Sequence, residues 1–88
     1  MRVDKFLKVS RLLKRRSVAN NACGEGLVSV NGRSVKPGAR LNVGDKLTIT
    51  FGHHKLTVRV LALNEKASKA MADTLYEVIE ESKASDEL

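Results

Sequence analysis

The chain of 88 residues predicts one α+β domain, with two short N-terminal helices, a run of short strands and a C-terminal helix. Three observations carry that prediction. Apolar residues recur at three- and four-residue spacing before Gly24. The middle of the chain alternates apolar and polar residues and is punctuated by Asn31-Gly32, Pro37-Gly38 and Val43-Gly44-Asp45. After Asn64 the spacing returns to three and four. A chain this short supports one hydrophobic core, not two.

Residues 3–9 read as an amphipathic helix, with Val3, Phe6 and Leu7 on one side and Arg2, Lys5 and Lys8 on the other. A basic link from Arg11 to Arg16 follows, anchored by Leu12 and Leu13. Ser17 is the expected N-cap of a second helix whose apolar face is Val18, Ala19, Ala22 and Cys23, stopped by Gly24 and Gly26. Leu27–Val30 and Arg33–Lys36 flank Asn31-Gly32, a pair that accepts the positive φ angles of a tight hairpin. Lys46–Phe51 and Lys55–Leu63 alternate as further strands, joined through Gly52-His53-His54. Ala67, Ala70, Met71, Thr74, Leu75, Val78 and Ile79 then predict the C-terminal helix, with Asp73, Glu77, Glu80 and Glu81 facing outward. Ser82 to Leu88 carry no pattern. Residues 1–63 thus form the expected module, and 64–88 an acidic helical appendage.

The charge is unevenly spread. Residues 1–16 hold seven basic side chains against Asp4 alone, 17–63 hold six against Glu25 and Asp45, and 64–88 hold three against seven acidic ones. The overall charge of +6 favours a polyanionic partner, with nucleic acid ahead of a membrane surface. Three aromatic residues (Phe6, Phe51, Tyr76) are too few for a platform that stacks successive bases. The opening residues are basic and polar rather than an apolar leader, and the single Cys23 has no internal partner. A cytoplasmic setting, no membrane contact and a monomer are therefore expected.

No nucleophile elbow, phosphate-cradling loop or dinucleotide fingerprint is present, so an enzyme is not expected. His53 and His54 are adjacent, and adjacent strand residues point to opposite faces, which does not favour a shared metal. Cys23 lies on an apolar helix face, where it acts as a small hydrophobe. Neither a metal nor a cofactor is expected.

The basic head is the candidate site: Arg2, Lys5, Lys8, Arg11, Lys14, Arg15 and Arg16, with Asp4 among them. So many like charges in sixteen residues repel one another unless an anion neutralises them. Arg15 and Arg16 also precede a helix whose free N–H groups can join them in holding a phosphate. Asp4 has two readings. It is a helix cap, as Asp at a helix start commonly is, or a carboxylate that orients an arginine such as Arg16, or a 2′-hydroxyl. Charge alone does not separate RNA from DNA, and a nucleoid-type DNA-binding protein is the alternative of a different class.

Several segments together carry a family likeness: Met1-Arg2-Val3-Asp4-Lys5-Phe6-Leu7, the run Arg11–Arg16, Ala22-Cys23-Gly24-Glu25-Gly26-Leu27-Val28-Ser29-Val30-Asn31-Gly32, and Val43-Gly44-Asp45. Over about residues 1–60 the chain resembles the S4-type RNA-binding domain. That resemblance implies two helices packed on a small bent antiparallel sheet, the alpha-L motif, with RNA read by shape and phosphates. Among stand-alone members the opening stretch is similar to the RqcP group of ribosome quality-control factors, relatives of the ribosome-associated heat-shock protein. The group implies binding to a large ribosomal subunit that still holds peptidyl-tRNA. It also implies contact with large-subunit rRNA and the tRNA, and support of alanine tailing alongside the tRNA-recruiting factor RqcH. Under the same resemblance Arg2, Lys5, Lys8, Arg11, Arg15 and Arg16 meet phosphates. A ribosome-assembly or heat-shock-type rRNA-binding factor is the neighbouring possibility.

Overall fold

In the computed structural model, which describes residues 1–83, the apolar spacing at the start of the chain becomes helix α1 (Val3–Val9). Val3, Phe6, Leu7 and Val9 are buried, while Lys8 is exposed. The link turns at Ser10 and Arg11, whose positive φ of 65° ends the helix in the left-handed conformation usually taken by glycine. Helix α2 (Arg16–Gly24) then buries Ala19 and Cys23, one turn apart. Its N-cap is Arg15 and not Ser17, and no side chain caps it. Ser17 instead sits inside the first turn. Val18, expected on the core side, is 44% exposed.

Strand β1 (Val28–Val30) pairs with β2 (Arg33–Ser34) through the anticipated turn, with Asn31 at φ 53° and Gly32 at φ 87°. These two positive angles match the twist of the flanking strands. Strand β3 (Lys46–Phe51) pairs with β1 on its other side and with β4 (His54–Val60) through a second tight turn, where Gly52 has φ 51°. The turn is fixed to the loop ahead of β3 by side chains. Asn31 donates its amide to Asp45 Oδ1 at 3.1 Å and accepts from the Lys46 N–H at 3.0 Å, while Asp45 Oδ2 accepts from the Asn42 N–H at 2.8 Å.

Beyond Asn64 the structure departs from the predicted helix. Lys69–Thr74 form a 3-10 turn, and Tyr76–Lys83 form an eight-residue strand, β5. The completed antiparallel sheet has the order β2-β1-β3-β4-β5. The reason is the unpaired edge of β4, a row of N–H and C=O groups that a detached helix would leave without partners. Tyr76, Val78 and Ile79 are strand-forming residues, and β5 pairs along β4 from Val60↔Tyr76 to His54↔Lys83. Thr57 opposes Glu80 while Val58 opposes Val78, so Ile79 is the extra residue of a bulge. Of the residues with the three-and-four spacing only Leu75 is buried, while Met71, Val78 and Ile79 are exposed, so they form no continuous helical stripe. Residues 84–88, the remainder of the predicted appendage, lie outside the described residues.

The core lies between the helices and one sheet face. Phe6 and Leu7 from α1, Val28 from β1, Leu47 and Ile49 from β3, Val58 and Val60 from β4, and Leu41 and Leu75 from loops make one cluster. Burial of these side chains supplies the main stabilising term, about 1.5–3 kcal/mol for each large apolar group.

Candidate nucleic-acid interface

The chain's first residues are strapped down by backbone hydrogen bonds. Val3 N–H donates to the Ala39 carbonyl at 2.9 Å, Leu41 N–H to the Met1 carbonyl at 2.9 Å, and Asp4 N–H to the Pro37 carbonyl at 3.1 Å. The result is an isolated bridge between Arg2 and Arg40, residues 38 positions apart in sequence. The Arg2 guanidinium lies across Gly38.

Asp4 is the one buried charged residue among the described residues, 1% exposed. It does not cap α1; its carboxylate faces two arginines. Arg2 donates from Nε to Oδ1 and from Nη2 to Oδ2, both at 3.2 Å, a forked pairing. Arg16, from the first turn of α2, donates to Oδ1 at 3.5 Å and brings Nε within 3.4 Å of Oδ2. Burial by itself raises the Asp4 carboxyl, but the Arg16 hydrogen bond and charge, the Arg2 charge and the Lys5 backbone N–H outweigh it. Its pKa lies below the ordinary value. The carboxylate is thus held ionised between two cations, and the triad keeps a net positive charge. Each arginine side chain remains about half exposed, at 51% and 46%, with donors left for an anion.

Two grooves meet at this arginine pair. One, of about 480 Å³, is lined by Arg2, Asp4, Arg16, Ser17, Asn20 and Asn21. The other, of about 260 Å³, is lined by Met1, Arg2, Lys5, Arg16, Arg40 and Glu65. Of the sequence-predicted residues, Arg2, Asp4, Lys5 and Arg16 converge here. Lys8, Arg11, Lys14 and Arg15 are exposed and lie outside both grooves. Sequence reasoning missed Arg40 and Glu65, which reach the site by long-range pairing with no local signature. It also missed Asn20 and Asn21, although their spacing from Ser17 places all three on one face of α2.

Cys23 is buried with Ala19 on the core side of α2. Burial, with a contribution from the Asp4 charge, pushes its thiol above the ordinary value, which favours the protonated form. His53 and His54 are exposed at the β3–β4 turn. No trio of His, Cys, Asp or Glu able to hold a metal gathers among the described residues. No described helix is long and apolar enough to cross a membrane.

Residues 1–47 match the family model described as the S4 domain. The chain belongs to the S4 domain family. The S4 match covers both helices and the strands up to the start of β3. Over nearly its full length the chain is also similar to proteins called "RQC P-site tRNA stabilizing factor". It is 48% identical to that of Halalkalibacterium halodurans, covering 92% of each chain. It is 43% identical to that of Listeria monocytogenes, covering 98% of this chain and 94% of the other. Among solved structures it superposes on heat shock protein 15 of Vibrio cholerae, described as trimeric, with a TM-score of 0.83 and 30% identity. That superposition covers 90% of this chain and 81% of the other. The structural match reaches well past residue 47, where the family match ends.

Proposed function

We propose that this S4 protein is an RNA-binding, non-enzymatic factor of ribosome quality control in the cytoplasm. It binds the large ribosomal subunit that still carries a stalled peptidyl-tRNA, and it contacts both rRNA and the tRNA. In holding that tRNA it supports alanine tailing of the nascent chain alongside RqcH. Residues 1–63 carry the RNA surface. The observation that supports this reading best is the Asp4 clamp, which fixes two half-exposed arginines from separate helical ends on one surface. A preorganised arginine pair suits phosphates of folded RNA better than a flexible lysine run does. The names of the relatives similar along the whole chain point the same way. The likeness to heat shock protein 15 favours a second reading, a large-subunit rRNA-binding factor that does not meet peptidyl-tRNA.

Replacing Arg16 by Ala removes one guanidinium while Asp4 keeps both bonds from Arg2, so the domain stays folded. Subunit affinity is expected to fall about tenfold or more, the loss for a charge-assisted contact. Sucrose-gradient sedimentation checks this, and a variant that comigrates with large subunits as fully as the unaltered protein counts against the site. Blots of a tagged stalled chain separate the two readings: only the quality-control role requires alanine tails to disappear on deletion.

A further inference from the structure

The larger groove carries more than phosphate-binding groups. One wall is the arginine pair; the other is Ser17, Asn20 and Asn21 on α2. Positions 17–24 contain no charged residue, in a chain where 30% of residues are charged. Ser and Asn are weak helix formers, and Asn20 and Asn21 stand in interior positions, so α2 does not owe them to helix stability. Nor does their role lie in capping, because Arg15 occupies the N-cap and no side chain bonds there. The side chains of all three make no hydrogen bond to other described residues. They present neutral donors and acceptors within a groove whose other side is cationic.

We infer that Ser17, Asn20 and Asn21 form a neutral reading edge that recognises ribose 2′-hydroxyls next to the phosphates held by Arg2 and Arg16. The chemistry follows from what each group can offer. Guanidinium groups only donate, and they bind the phosphates of RNA and DNA alike. An amide or hydroxyl both donates and accepts, as a 2′-hydroxyl does, and that hydroxyl distinguishes RNA from DNA at a given site. On the smaller groove Glu65 stands among five cationic or terminal groups and does not supply the same neutral surface. The inference deepens the RNA-binding reading and rests on it.

The test compares an RNA hairpin with the same hairpin carrying 2′-fluoro sugars, which keep the A-form geometry but lack the hydroxyl. Binding is measured by fluorescence anisotropy at one fixed salt concentration. The unaltered protein is expected to prefer the hydroxyl-bearing RNA by about tenfold, the worth of one or two hydrogen bonds. The variant S17A/N20A/N21A, changed at exposed helical positions and checked by circular dichroism, is expected to bind the two hairpins equally. Arg16→Ala is expected to weaken both while keeping their ratio. Equal binding of both hairpins by the unaltered protein, or an undiminished preference in the triple variant, overturns the reading edge alone. Failure of the unaltered protein to bind either hairpin overturns the RNA-binding proposal beneath it.

Discussion

Asp4 is the residue on which the cationic surface turns. A buried carboxylate with two arginine partners contributes stability only while ionised. Because its folded-state pKa is lowered, its contribution is present above the ordinary value of 3.8 and is lost as pH falls through the lower folded value. Urea midpoints of the unaltered protein and of Asp4→Asn should therefore differ at neutral pH. The two should converge as the solution is taken below pH 3.8. A gap that persists unchanged in strong acid would show that the ion pairs add nothing. The sequence offered two roles for this residue, cap or orienting group, because a carboxylate at a helix start suits both. Only the placement of α2 against α1, a long-range outcome, decides for the arginines.

At the level of elements, the two helices and the first hairpins were legible because local signals agreed with one another. The apolar spacing of Val3, Phe6 and Leu7 became α1, and Asn31-Gly32 became a turn with both φ angles positive. The last strand was not legible. Its residues satisfy a helical period and a strand alternation nearly equally, and the choice was made by the open edge of β4, which no local window contains. The motif residues Asn31 and Asp45 prove to be a brace between hairpin and loop, and neither lines the arginine grooves. Asp45→Ala strips two acceptor oxygens from that brace, and the loss should cost about 1–3 kcal/mol in chemical denaturation. Binding through the helices should survive it. A variant with unaltered stability would place the rigidity of this hairpin elsewhere.

Across the whole molecule, charge is sorted along the chain: cations gather on the helices, while Glu77, Glu80 and Glu81 occupy the outermost strand. Such a separation orients the molecule toward a polyanion before contact and holds β5 away from it. The bulge at Ile79 and these glutamates also guard an edge that would otherwise invite pairing with other strands. If about six phosphates are neutralised on binding, affinity should fall roughly a thousandfold or more between 50 and 200 mM salt. A titration across that range measures it, and a flat response would mean that the basic surface is not where RNA sits.

The strap that ties residues 1–4 to the loop at 37–41 has a practical corollary. Met1 itself lines the smaller groove, so a peptide fused upstream emerges into the space bordered by Arg2, Lys5, Arg16 and Arg40. An epitope or purification handle on that side would crowd incoming nucleic acid and imitate a loss-of-function lesion. Strand β5 lines neither groove, so a handle attached beyond it is expected to leave the guanidinium surface open.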